Sequence, residues 1–313
     1  MARQYTGTAG RTANAQVAVY LTYAAPGGHA LMDRDLYLPQ SWISDPGRCR
    51  AAGIPPGTGF ATKPGPARTM IARALDAGTP ASWVAGDEVY GADPGLRADL
   101  EIRQLGYVLA VARHRHIVTA AGALRAGTPA ARLPPRAWQK LPAGAGAKGH
   151  RYHDRAWVAI EPGRTGHRHL LVRRSRRTRE LAYYRCYTPG PVPLARLVHI
   201  AGLRWTAEED FAASKALAGL DEHQVRRWTS WHRWVTLAML ALAFLTITAA
   251  TEHAAPPPPG LIPLTRNEIA HLFTALSGQP ARGPQHLLHW SAWRRRHQHR
   301  AKTSHYQRQA REP

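Results

Sequence analysis

The run ASWVAGDEVYGADPGLRADLEIRQLGYVLAVAR, residues 81–113, narrows the possible folds more than any other part of the chain. It opens with an apolar, strand-like segment that ends in two carboxylates, Asp87 and Glu88. Asp93-Pro94 then supplies a capping Asp with Pro at the first helical position. The helix is expected to run through Leu105 and stop at Gly106. The following YVLAVA is apolar at every position and needs cover on both faces. Upstream, ANAQVAVYLTYAA and HALMDRDLYLP flank a PGG turn and read as a hairpin, and KPGPARTMIARALDAGTP reads as a helix. Hairpin, helix, strand, helix, strand makes residues 1–112 a mixed α/β sheet.

The pattern then changes. Residues 113–165 are rich in Arg, Pro and Gly with weak periodicity, and RYHDRAWVAIEP and HRHLLVRRS…RELAYYRCYT read as antiparallel strands. Residues 113–192 read as an inserted β-rich region. Residues 193–255 are helical. PPPPG begins a last section, 256–313, with one amphipathic helix and a basic, aromatic tail expected to be partly disordered. The apolar run at 235–250 is shorter than a spanning helix usually needs and carries three threonines. It is expected to be a buried core helix, with no membrane involved. The N-terminus lacks an apolar signal region, and Cys49 and Cys186 show no metal-type spacing. Both features fit a cytoplasmic protein.

Charge decides the partner class. A net charge of +22 on 313 residues costs self-repulsion, and a polyanion is what makes such a surface useful. Arg outnumbers Lys, which suits phosphate, because a guanidinium forks onto two oxygens. Asp87 lies at the C-terminal end of a strand, where sites gather in open α/β sheets. Strand alternation would turn Glu88 away from it. In GLRWTAEEDFAASKALAGL, Thr206 and Glu209 have capping-box spacing. Glu208 has no such structural task. Arg204 lies one turn before it and Lys215 two turns after, on one helical face. A carboxylate flanked by cations suits a metal bordered by phosphates, and metal-assisted phosphodiester cleavage needs acidic oxygens from separate elements. GAGAKG at 144–149 lacks a strand–helix context and reads as a loop.

RQYTGTAGRTANAQVAVYL, WVAGDEVYG…LRADLEIRQLGYVLAVAR, RWTAEEDFAASKALAGLDEHQVRRWTSWHRWVTLAMLALAFL and HWSAWRRRHQHR together resemble an insertion-sequence transposase of the DDE superfamily. The resemblance implies an RNase-H-like sheet flanked by helices, with an inserted β-rich region and a helical C-terminal part. It implies Mg²⁺- or Mn²⁺-dependent strand cleavage and transfer on DNA, both transposon ends and target, by a homodimer in a synaptic complex on the bacterial nucleoid. By position, Asp87 matches the family's second aspartate and Glu208 its final glutamate, both as metal ligands and catalytic groups. Arg204 and Lys215 match its phosphate-binding cations. A tyrosine of the family pattern is replaced by Ala201. The family's first aspartate lies upstream of the QYTGTAG segment, so the chain is expected to be truncated at the N-terminus and weakly active or inactive. The alternative is a non-catalytic DNA binder that regulates a full-length transposase.

Overall fold

The computed structural model describes residues 2–6, 10–146, 149–223, 226–277 and 283–311. The chain divides into two compact units, Met1–Thr62 with Thr206–Pro313, and Lys63–Trp205.

The first unit opens with β1 (Ala2–Thr6) paired to β2 (Arg11–Ala15), then the hairpin β3 (Val17–Ala25) and β4 (Gly28–Tyr37). Short helices α1 (Gln40–Ile43) and α2 (Pro46–Ala52) follow. The second is capped by Asp45, which accepts from the Arg48 N–H, and is stopped by Gly53 in the left-handed conformation.

The second unit begins with α3 (Pro64–Asp76), β5 (Trp83–Gly86), α4 (Glu88–Gly91), α5 (Pro94–Ile102) and β6 (Gly106–Val111). Strands β7 (His116–Thr119) and β8 (Gly122–Arg125) form a ribbon, followed by α6 (Gly127–Ala131). Then come β9 (Gln139–Gly146), β10 (Gly149–Ala159), β11 (His167–Arg174), β12 (Leu181–Thr188) and α7 (Leu194–Leu203). The chain returns to the first unit with α8 (Trp205–Ala218), α9 (Trp228–Glu252), α10 (Arg266–Ser277) and α11 (Pro284–Arg311).

A six-stranded mixed sheet in the order β5-β6-β12-β11-β10-β9 organises the second unit. Only the β5–β6 pair is parallel. Helix α7 covers one face, where Leu197 and Val198 pack on Val108, Leu171 and Cys186. Val111, Ile117, Leu170, Val172 and Tyr183 pack on the other. The apolar β6 is thus covered on both sides, and the architecture is the mixed α/β class expected, consistent with an RNase-H-like fold. The strands read as an inserted β-rich region pair into this same sheet through β12 and β6.

Three local readings change. Helix α5 ends at Ile102, because Gln104 turns left-handed and Gly106 already belongs to β6. The tail forms a helix, α11, where partial disorder was expected. Of the GAGAKG stretch, 144–146 lie in β9 and Gly149 opens β10, so those residues are strand where a loop was expected, while 147–148 lie outside the described residues.

In the first unit α9 buries a stripe of Trp231, Val235, Ala238, Met239 and Leu242 against Leu31 of the hairpin. It is long and apolar enough, by length and composition, to cross a membrane. It is core along one stripe only, since Leu237, Leu240, Phe244 and Ile247 are exposed.

One ion network ties α5 to β6 and β11 at one end of the second unit's sheet. Glu101 accepts from the Tyr107 hydroxyl at 2.8 Å and from Arg168 at 2.6 Å, and Arg168 also lies 3.3 Å from Glu161. Burial pushes the Glu101 carboxyl up, but the hydrogen bonds from Arg168 and Tyr107 and the charges of Arg168 and Arg164 outweigh it, so the net shift is downward. A carboxyl depressed on folding stabilises above its ordinary value of 4.5, and that share is lost as pH falls through the folded value. Unfolding in urea between pH 7 and 3 should therefore show stability falling below about pH 4.5, with a shallower fall in Glu101→Gln.

Candidate active site

Asp87 is placed by two elements. Strand β5 runs parallel to β6 with Trp83 opposite Gly106 and Gly86 opposite Leu109. It ends one residue before Asp87, whose extended backbone (φ −80°, ψ −173°) continues the strand's direction while its side chain caps α4. Oδ1 accepts from the Val89 N–H at 2.9 Å. Glu88 is therefore the first residue of a helix, and strand alternation is not what orients it. The Asp87 carboxylate is exposed. Beside it, burial and then the Asp87 charge push the Tyr90 hydroxyl up to about 12, which keeps it a neutral donor.

Helix α4 is held against the sheet by Gly91. A Cβ there would lie 1.8 Å from the Ala110 carbonyl oxygen of β6. The helix backbone thus rests directly on the strand, which fixes the height at which Asp87 is presented. The sequence run singled out Asp87 but gave no role to Gly91 or Tyr90. The signal available was the close spacing of Asp87 and Asp93-Pro94, too short for one long strand.

Glu208 and Lys215 share α8 and one of its faces. Asp210 and Ser214 point the other way and are buried. Asp210, 0% exposed, receives His29 Nδ1 at 2.7 Å and Arg266 Nη1 at 2.8 Å on Oδ1. Two residues correspond to about 200° of helix rotation, so clamping Asp210 inward sends Glu208 outward, and Glu208 is exposed. Helix α8 starts at Trp205, so Thr206 falls inside it and the capping box does not form its start. Glu209 instead lies 3.3 Å from His29 Nε2. Arg204 is the residue that ends α7, in helical conformation. Asp87 and Arg204 thus belong to the second unit, Glu208 and Lys215 to the first. At the start of α9, Trp231 is core and Trp234 donates to the Gly219 carbonyl.

Among the described residues no three His, Cys, Asp or Glu side chains cluster to hold a metal ion. The donor type nonetheless fits one. Asp87 and Glu208 are exposed carboxylates on well-held elements, and hard oxygen donors suit Mg²⁺ or Mn²⁺.

A mixed sheet that delivers an exposed carboxylate at the C-terminal end of a parallel strand, on a strongly basic chain, defines a nuclease-like α/β protein. Residues 1–163 match the family described as DDE superfamily endonuclease, and the chain belongs to that family. No curated protein matches it. The matched span includes Asp87 and ends before Arg204, Glu208 and Lys215. Membership implies a DNA substrate, and nucleases of this superfamily use divalent metal ions.

Proposed function

We propose that the chain is a DNA transposase acting by metal-dependent strand cleavage and transfer. The observation that carries this reading is the family match over a span in which Asp87 stands exposed at the end of β5. When bound, a divalent ion such as Mg²⁺ or Mn²⁺ would supply activation of the attacking hydroxyl and charge stabilisation at the leaving oxygen. Asp87 and Glu208 are the residues that would hold it. The Val89 N–H on Oδ1 restrains the Asp87 carboxylate, and the buried Asp210 clamp keeps Glu208 turned outward. Arg204 and Lys215 bind phosphates of the DNA, transposon ends and target, with two copies of the chain joined in a synaptic complex in the cytoplasm at the nucleoid.

The resemblance calls for three carboxylates and these two supply part of that set. Weak activity is therefore part of the proposal. The second reading, a non-catalytic regulator of a full-length transposase, is favoured by the basic helix α11, which offers DNA binding without any need for Asp87.

Nicking of supercoiled plasmid in Mn²⁺, together with Mn²⁺ calorimetry, separates the two. Slow nicking that Asp87→Asn and Glu208→Gln each lower at least about a hundredfold, with weakened Mn²⁺ binding and unchanged salt-sensitive DNA binding, supports the transposase. Mn²⁺ affinity indifferent to both substitutions supports the regulator.

A further inference from the structure

Within the second unit, one patch of cations has no counter-charge among the described residues. On β10, alternation puts His153, Arg155 and Trp157 on one face. Arg155 stands directly opposite Arg173 of β11. Two like charges across a strand pair, with Cβ atoms about 4.5–5.5 Å apart, are destabilising. Arg155 is only 2% exposed, and its Nε and Nη1 have no hydrogen-bond partner among the described residues. Its guanidinium is hydrogen-bonded to the Tyr184 hydroxyl. Arg173 Nε is likewise buried and without a hydrogen-bond partner among the described residues, while the His153 ring is held by the Arg151 backbone. The acid nearest in sequence, Asp154, lies on the opposite face, held by Arg174 at 3.0 Å. Burial lowers the Arg155 guanidinium to about 10, with Arg173 adding to the fall and Tyr184 opposing it.

We propose that Arg155 and Arg173, with His153 beside them, form an oxyanion subsite that takes a phosphate of a nucleic-acid backbone. A phosphodiester presents two anionic oxygens to a guanidinium fork, which satisfies the unpaired donors and removes the repulsion together. Arg173 and His153, half-buried, form the side of the subsite that solvent reaches.

The sheet register says where this phosphate lies. Trp83 and Ala85 of β5 pack on the α7 side of the sheet, with Trp157 and Tyr184. Asp87 continues that alternation. Ala110, Tyr184, Leu171 and Trp157 form one row across β6, β12, β11 and β10. Arg173 and Arg155 lie one row further, toward the same end of the sheet at which β5 terminates. The subsite is therefore on the face and at the end of the sheet where Asp87 emerges, three strand steps away at Arg173 and four at Arg155. At about 4.8 Å per step that is about 14–19 Å, the length of about four to six base pairs. This placement relative to a cleaved bond rests on the transposase reading. The subsite itself does not.

The test uses the full chain and the variants Arg155→Met, Arg173→Met and both together. Thermal unfolding is compared in sodium phosphate and sodium chloride at equal ionic strength, and binding of a 30-base-pair duplex is followed against salt. Phosphate should raise the wild-type Tm, and Arg155→Met should remove that rise. The slope of log K against log salt should fall by about 0.9 for each Arg removed, with affinity down about eightfold per Arg at 0.1 M salt. Phosphate stabilisation that depends on Arg155, with no DNA binding by any form, would keep the subsite as one for free phosphate and reject the DNA reading. DNA binding with an unchanged slope in both single variants, and no phosphate effect on Tm, would overturn the subsite and leave the DNA reading standing. A more stable Arg155→Met that keeps wild-type behaviour in both assays would also overturn it, as a buried cation of no use to ligand. If Arg155→Met does not fold, Arg173→Met at the half-buried side decides by the same two readouts.

Discussion

Gly91→Ala is expected to destabilise the Lys63–Trp205 unit by about 3 kcal/mol or more, although Gly→Ala inside a helix ordinarily stabilises by up to about 1 kcal/mol. The sign reverses because of what the new methyl meets. A Cβ at Gly91 would sit 1.8 Å from the Ala110 carbonyl oxygen and 2.9 Å from its carbon. That carbonyl belongs to β6, hydrogen-bonded between β5 and β12, and it cannot swing aside as a side-chain tip can. An ordinary contact of about 3.4 Å requires α4 to retreat by about 1.6 Å. The retreat loosens the packing of Tyr90 and moves the N-terminus that Asp87 caps. A shift of that size at the carboxylate proposed to hold the metal would cost activity out of proportion to stability. Thermal unfolding checks the first effect, and Mn²⁺ affinity at a temperature where the variant is folded checks the second. Gly190→Ala is the control. Nothing lies within 4 Å of a Cβ there, so the Tm should hardly move. Equal effects at the two positions would show that backbone freedom, and not the contact with β6, is what Gly91 provides.

The same few residues show how far local sequence reaches. Asp93-Pro94 marked a helix start that the structure has, with the Asp93 side chain accepting from the Leu96 N–H at 2.6 Å. Asp87 was legible as an acid at a strand end. Its second role, capping α4, was not, because a four-residue helix between two turns leaves no periodicity to read. The apolar β6 announced that it would be covered on both faces, but nothing local in it names β12 as its neighbour. That pairing joins residues more than seventy positions apart, Tyr107 with Tyr187 for example, and it is what carries β9–β12 into the same sheet. Arg155 was hidden for a different reason. RYHDRAW reads as a polar strand, and polar strands ordinarily face water. The available sign was Trp157 two residues on, which placed Arg155 on the side that α7 covers. On α8 the spacing of Glu208 and Lys215 gave their shared face correctly, and the capping box misplaced only the helix start. What turns that face outward is Asp210, clamped by His29 and Arg266 from far along the chain.

Glu268→Ala is expected to release α11 without unfolding the rest of its unit. Glu268 lies on α10 and is 3% exposed, although Arg294 on α11, its partner, is partly in solvent. The guanidinium forks onto both carboxylate oxygens, with Nε to Oε2 at 2.8 Å, and Ser291 adds a further hydrogen bond. Burial pushes the Glu268 carboxyl up, yet the hydrogen bonds from Arg294 and Ser291 with the charges of Arg294 and His271 bring it below its ordinary value. The fork therefore stabilises the ionised form, and removing it costs α11 its main charged tie to α10. Because Arg294 can turn to water once freed, the cost is at the low end for a broken buried pair, about 2 kcal/mol. Helix α11 is long, strongly basic and weakly apolar, so it has little packing with which to absorb that loss. Its open form should become about thirtyfold more populated. Trypsin reads this directly, since the helix carries Arg296, Arg300, Lys302 and Arg308. Cleavage there should accelerate by about that factor in Glu268→Ala, while the Tm of the β3–β4 and α9 core stays within a few degrees of wild type. Glu268→Gln should fall between the two, keeping the shape and losing the charge. Wild-type cleavage rates in Glu268→Ala would mean that the hydrogen bond donated by Arg295 Nε to the Ile262 carbonyl, 2.8 Å long, holds the helix by itself.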